Sequence, residues 1–277
     1  MTAVIRRATE RDLPEVLRYL AGALGGTTGH FRRYFDYPWL TDKPEIGFMI
    51  DDGGVRGFIG VIYANRMIRG VVRRFCNLTS IAVEPSHRKL SLQLFKATFA
   101  DKATTYTGFS PSKEMIEVLR FFKFEHHPME KAVLVAAPTS LRALVPPKIR
   151  LRPEPRDLVD EERSIVRDHT GLSRFATLVV ERGSERCFVA SVRRGRTVRA
   201  YSEIVHVSNN ELALETMPWI QGALALRQRT AIAMIETRLL PRVPRLAYVA
   251  KKFRPLMFRS PDLKHEDIDA LYTELCL

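Results

Sequence analysis

The sequence predicts a mixed α/β chain of the α+β type, with central, mostly antiparallel sheets flanked by helices and arranged in tandem. Three observations predict it. Strand-like segments at 46–50, 55–64 and 70–83 follow one another with turn chemistry between them. Amphipathic helical stretches stand before and after this meander. Beyond a proline-rich run at 146–155, the order helix, three strands, helix, strand returns.

The elements follow from local pattern. Val4-Ile5-Arg6 reads as a short strand, and Thr9 to Asp12 as a helix start with acidic residues in its first turn. Leu13, Val16, Leu17, Leu20 and Leu24 recur at helical spacing until Gly25-Gly26 stops the run. An aromatic-rich loop comes next, from His30 to Trp39. Asp51-Asp52-Gly53-Gly54 is hairpin chemistry between the first two meander strands. After the third come Glu84-Pro85-Ser86-His87-Arg88, a predicted amphipathic helix over 90–103, a strand at 104–109, a helix over 112–121 started by Ser110-Pro111-Ser112, and a strand at 132–137.

Four prolines in the ten residues 146–155 mark the best candidate linker, dividing the chain into a first domain at 1–145, a linker at 146–156 and a second module at 157–277. In that module 157–169 reads as a helix, 175–181, 187–192 and 198–207 as strands, 211–228 as a helix and 231–236 as a strand. A short final helix is predicted over 267–272, packing through Ile268, Leu271 and Tyr272. Residue identity between the halves is negligible, so the repeat is one of order alone.

Composition narrows the function classes. The 277 residues are 45% hydrophobic and 27% charged, too apolar for a disordered chain. No run approaches the roughly 20 apolar residues that a bilayer-spanning helix needs. The formal net charge is +13, which suits a negative partner such as a phosphorylated metabolite, an acidic protein or nucleic acid. Residues 1–150 hold 23 Lys/Arg against 14 Asp/Glu, so the larger share, +9, lies in the first half. Basic clusters with aromatic or glycine neighbours, as nucleic-acid binding would need, occur only near 31–34 and 192–196. Cys76, Cys187 and Cys276 are far apart and form no zinc-like spacing, so no metal site is expected. With no signal-peptide-like start, a reducing cytoplasm is the expected location.

Residues 78–92 carry the most chemical information, because they combine a strand, a tight turn and a basic helix start. The first N–H groups of a helix lack partners and the macrodipole adds partial positive charge there, so a phosphate can sit on them. Arg88 and Lys89 add full charges that oppose the dipole unless an anion compensates them.

This order of elements, with Val83-Glu84-Pro85-Ser86-His87-Arg88 at a strand-to-helix turn, resembles the GNAT superfamily of acyl-CoA-dependent acyltransferases. Gly108-Phe109-Ser110 and the helix ending Phe122-Lys123-Phe124 look like the second half of that fold. The resemblance covers 1–137 and is most specific over 78–124. It implies acetyl-CoA or another acyl-CoA as co-substrate. It also implies a strand that splays at a bulge, with the backbone of Ile81, Ala82 and Val83 pairing the pantetheine arm, and a turn at Arg88, Lys89, Leu90, Ser91 and Leu92 holding the pyrophosphate. The family's loop Q/R-x-x-G-x-G/A is here Arg88-Lys89-Leu90-Ser91-Leu92-Gln93, and Leu119 stands where a tyrosine acid is common. Asn77 stands on the strand that often carries the carboxylate base; Asn77 and Tyr106, the nearby phenol, are the candidate catalytic groups. His30, His87, His126, His127 and His206 are read chiefly as loop, surface or strand residues, with His30 one that could approach an acceptor.

The function expected is acyl transfer to an amine or hydroxyl of a small-molecule or protein acceptor, with residues 25–45 as one wall of its pocket. The alternatives are an inactive binding module of the same fold, a transferase served by an acidic acyl carrier protein and, last, a nucleic-acid binder.

Overall fold

The computed structural model describes residues 3–40, 43–135, 146–195 and 199–277. Its strands are β1 Val4–Ala8, β2 Gly47–Asp51, β3 Val55–Ile68, β4 Val71–Val83, β5 Thr105–Gly108, β6 Glu125–His127, β7 Lys131–Val135, β8 Lys148–Arg150, β9 Phe175–Arg182, β10 Glu185–Arg194, β11 Tyr201–Val207, β12 Ile232–Glu236, β13 Tyr248–Ala250 and β14 Leu256–Arg259. The helices are α1 Leu13–Leu24, α2 Thr28–Arg32, α3 Ser91–Thr98, α4 Lys113–Phe121, α5 Asp160–Asp168, α6 Asn210–Glu215 and α7 Met217–Gln228. The predicted strand ends at 136–137 and 198, and Arg196 of the second basic cluster, lie outside the described residues.

Two sheets of seven strands result, ordered β1-β2-β3-β4-β5-β14-β6 and β13-β7-β12-β11-β10-β9-β8. Each is antiparallel except for one parallel pair, β4 with β5 and β11 with β12. A parallel neighbour needs a crossover, and α3 supplies it in the first sheet, α6 and α7 in the second. Read from β1 and from β8, the two sheets have the same order of roles, so the tandem expectation holds at the level of topology.

The halves exchange a strand. β7 comes soon after β6 in sequence yet pairs with β12 and β13 in the second sheet. β14 returns from the second half to pair with β5 and β6 in the first. The proline-rich run at 146–155 therefore does not separate the strands of one sheet from those of the other.

Sheet alternation sets the layers. Phe48, Ile50, Ile59, Val61 and Leu78 face Leu94, Phe95 and Leu119 of α3 and α4. Met49 and Phe58 face α1 through Val16, Leu17 and Leu20. Farther along the strands, Ala64 and Phe75 join Phe188, Ala190, Val205, Leu256, Phe258 and Tyr272 in a core shared by both sheets. The second sheet buries its other face under α6 and α7 through Leu212, Ile220 and Leu224.

Three predicted helices differ. The 90–103 helix is shorter: Pro85–Leu90 forms a 3₁₀ turn, α3 ends at Thr98, and Asp101 accepts from Ala103 N–H at 2.9 Å and Thr104 Oγ1 at 2.7 Å, closing a turn instead. The 211–228 helix is two, broken at Thr216 before Pro218. The 267–272 segment is not a helix, because Asp269 accepts from Leu271 N–H at 3.0 Å and spends its remaining oxygen elsewhere. Its packing residues are nonetheless buried, Ile268 at 0%, Leu271 at 1% and Tyr272 at 5% exposure.

Candidate functional site

β4 and β5 pair only from Phe75 to Asn77 against Thr105 to Thr107, and then part. The register of β4 against β3 jumps from Thr79 opposite Gly60 to Ile81 opposite Ile59. Ser80 is the extra residue, held at φ 48°. Such a bulge bends its strand and turns the residues beyond it in a new direction. Past Ser80, β4 pairs with β3 on one edge, and no strand among the described residues pairs with its other edge.

A cavity of about 340 Å³ fills the opening. Leu78 to Ile81 form one side and Gly108 to Ser112, the β5–α4 connection, the other. His30, Phe31 and Tyr34 close it from the α2 region, inside the 25–45 stretch expected to wall the acceptor pocket. Arg254 and Glu274 complete it from the far end of the chain.

Glu274 is the ionisable centre of this cavity. Burial pushes its carboxyl up to about 6, while a hydrogen bond from the Asn77 amide pulls in the opposite direction. Asn77 Nδ2 donates to Glu274 Oε2, and Asn77 Oδ1 accepts from Thr107 Oγ1 at 3.1 Å. Asn77 itself is 2% exposed. It thus ties both parallel strands to the carboxylate, and an amide side chain is itself neither an acid nor a base near neutral pH.

Tyr106 does not line the cavity, which corrects its nomination. Strand alternation turns it to the opposite face from Thr107, where it packs edge-on to Phe99 at 5.2 Å and under the Arg259 guanidinium at 5.0 Å. Burial raises its phenol above the ordinary range, so it stays protonated at neutral pH and is a weaker acid than a solvated tyrosine. The phenol in the cavity wall belongs to Tyr34, whose oxygen accepts from Arg33 Nη2 at 2.7 Å.

Of the predicted cofactor residues, Ile81 lines the cavity, whereas half-buried Ala82 and Val83 continue β4 away from it. Arg88 and Lys89 are exposed, Leu90 and Ser91 half-buried and Leu92 exposed. They lie outside the cavity walls. A 3₁₀ turn directs its N–H groups to carbonyls three residues back, and Ser91 N–H donates to Arg88 O in this way. The turn is therefore less open to an anion through its backbone than expected, and its exposed cations are the Arg88 and Lys89 side chains.

The remaining histidines are elsewhere. His87 bonds Asp52 at 3.2 Å, His127 stacks on His265 at 4.2 Å between centroids, and His206 Nδ1 meets Asp269 at 2.8 Å. Among the described residues no group of His, Cys, Asp and Glu is arranged to hold a metal ion, and no helix is long and apolar enough to cross a membrane.

Solved structures overlap this chain over almost its whole length. A GCN5-related N-acetyltransferase from Anabaena variabilis superposes with TM-score 0.61 at 11% identity, covering 93% of this chain and 72% of that one. The chain has the GNAT fold. A conserved Enterococcus faecalis protein described as a probable N-acyltransferase gives 0.59 at 12% identity over 94% and 73% of the two chains. A GCN5-related N-acetyltransferase from Kribbella flavida gives 0.58 at 14% over 94% and 71%. No family model matches the sequence, and no curated protein matches it. The bulge at Ser80 and the parting of β4 from β5 lie immediately before Ile81, Ala82 and Val83, the positions that the sequence resemblance gives to the splayed strand.

Sequence reasoning did not find Glu274. It stands 197 positions from Asn77 and belongs to no local motif. The one available signal was a buried-type asparagine on the strand where a carboxylate was expected.

Proposed function

We propose that the protein is an acyltransferase that moves an acetyl or longer acyl group from a coenzyme A thioester to an amine or hydroxyl, with Glu274 as general base. The observation that carries this reading is the Glu274 carboxylate. Half-buried beside the parted strands, it is raised to about 6 by the desolvation it does suffer, so it is ionised at neutral pH yet basic enough to accept a proton.

The acceptor enters between the His30–Tyr34 wall and Glu274. Glu274 takes its proton as the nucleophile attacks the thioester carbonyl carbon, and the carbon–sulfur bond breaks to release the thiol. Asn77 orients the carboxylate. The free edge of β4 at Ile81, Ala82 and Val83 suits the pantetheine amides, because an extended chain can add to an unpaired strand edge. Arg88 and Lys89 stand at the end of that edge as cations for the pyrophosphate. The carboxylate missing from β4, which favours an inactive binding module when the sequence is read alone, has a functional substitute in Glu274.

Titration calorimetry with acetyl-CoA and CoA, followed by thiol release with an amine panel, tests the reading. Binding in both wild type and Glu274→Gln, with thiol release in the wild type alone, is expected. No binding of either ligand at millimolar concentration overturns it. The exposed Arg88 and Lys89 also favour a donor on an acidic carrier protein, for which binding must weaken steeply with salt.

A further inference from the structure

Many arginines on and around the second sheet meet a carboxylate: Arg150 with Asp157 and Glu181, Arg186 with Glu162, Arg194 with Glu203, Arg238 with Glu236. Five others converge on one groove. Arg152 and Arg227 line a cavity of about 410 Å³, and Arg174, Arg193, Arg227 and Arg229 line an adjoining one of about 350 Å³. The two share Ser173, Phe175, Ala176 and Arg227. No aspartate or glutamate lines either, and among the described residues none of these five arginines has a carboxylate within 4.0 Å.

The backbone that carries these arginines is fixed and the Arg193 guanidinium is tethered, while the side chains of Arg152, Arg174, Arg227 and Arg229 are exposed. Arg174 precedes β9, Arg193 is in β10, and Arg227 and Arg229 are at the end of α7. Buried Gln228 joins the three elements: its carbonyl accepts from Arg193 Nε at 2.9 Å, and its Nε2 donates to Arg174 O at 3.1 Å. Arg193 N–H also donates to Arg174 O, at 2.8 Å. Arg229 comes directly after α7 in the left-handed region, at φ 54° and ψ 57°, a position where glycine costs least. A cation, not a glycine, occupies it.

The negative end of the α7 dipole, equivalent to about half a charge, satisfies only part of one guanidinium. Four around one cavity give it a positive potential that attracts an anion. A single carboxylate engages one guanidinium fork, whereas a phosphoryl group offers three oxygens to several at once. The adjoining cavity adds apolar wall from Leu172 and Phe175. Concave spaces of a few hundred Å³ suit a small ligand, while a nucleic-acid strand needs an open basic track with bases stacked along it.

We propose that this groove binds a phosphate-bearing small molecule, its phosphoryl groups among Arg174, Arg193, Arg227 and Arg229 and its apolar portion against Leu172 and Phe175. It shares no residue with the cavity at β4 and β5, so it stands whether or not the acyl-transfer reading does.

Titration calorimetry of the full chain with ATP, inorganic pyrophosphate and adenosine tests it. ATP and pyrophosphate are expected to bind, more weakly as salt rises, and adenosine is not. Arg227→Ala with Arg229→Ala is expected to cut ATP affinity at least tenfold, while Glu274→Gln binds ATP as wild type does. If a thermal melt shows the double alanine variant unfolded, Arg227→Gln with Arg174→Gln replaces it with the same expectation. Lack of binding by both phosphates, adenosine binding as tightly as ATP, affinity unchanged by the arginine variants, or binding of an oligonucleotide but not ATP each overturns the proposal.

Discussion

Asn77 on β4 donates its side-chain amide to Glu274 near the end of the chain, joining residues 197 positions apart at the point where β4 and β5 separate. Neither residue is informative alone. An asparagine is no base, and a glutamate in the final turn of a chain is ordinarily a solvated surface group. Held by Asn77 in the cavity wall, the half-buried carboxylate is pushed up to about 6.

Glu274→Gln separates the catalytic and structural consequences of that burial. Loss of a general base costs about 10²–10⁴ in turnover, and wild-type turnover is expected to rise with pH through about 6 as the carboxylate ionises. A folded value above the unfolded one means that the stability Glu274 contributes is present at low pH and lost as pH rises through about 6. At pH 7 the ionised group costs on the order of 2 kcal/mol, so urea unfolding should find the glutamine variant at least as stable as wild type there. A variant both inactive and markedly less stable at pH 7 contradicts this.

Asn77→Ala removes the hydrogen bond that favours the ionised carboxylate. The acid limb of the pH–rate profile is expected to move upward, and turnover at pH 6 to fall more than turnover at pH 8. The Thr107 hydroxyl loses its acceptor as well, which adds a stability cost of about 1–3 kcal/mol. An unshifted acid limb in an active, folded variant argues against Asn77 as the positioning residue.

Asp269 holds the closing segment between the sheets. It meets Arg66 of β3 at 2.9 Å and His206 of β11 at 2.8 Å, and Arg66 is 5% exposed. Burial alone raises its carboxyl, but Arg66 and His206 outweigh that and keep it well below the usual carboxylate range. Its stabilisation is therefore full above that range and lost as pH falls below it. Asp269→Ala leaves Arg66 buried and uncompensated, a cost of about 3–5 kcal/mol; denaturant unfolding with an unchanged midpoint would refute it.

Gly47→Ala tests the tight β2–β3 pairing. An added Cβ would lie 2.2 Å from Ile59 O and 2.6 Å from the Phe58 ring, and a main-chain oxygen cannot swing aside as a side chain does. Overpacking of this kind costs about 1–3 kcal/mol or more. A thermal melt indistinguishable from wild type would show that the strands are looser than described.

The meander was legible because each part of it is local. Period-two alternation, the Asp51–Gly54 turn and the helical spacing of Leu13 to Leu24 depend on neighbours within a few residues, and β2, β3, β4 and α1 formed as the pattern predicts. The aromatic loop lies in the 25–45 stretch expected to wall an acceptor pocket, and its His30, Phe31 and Tyr34 line the cavity. Tyr106 was misjudged because distance along the chain says nothing of which face a strand residue takes.

By itself, the sequence determined the fold class, the tandem order of elements and the strand-to-turn segment at 78–92, all properties of short-range periodicity and turn chemistry. Tertiary structure alone decided that β7 and β14 change places between the sheets, that Ser80 is the bulged residue and that Glu274 reaches Asn77. Those facts rest on pairings between distant residues, such as Arg66 with Asp269 across 203 positions. Their free energy comes from burial and charge compensation in the folded core, which leave no mark on the local pattern of either partner.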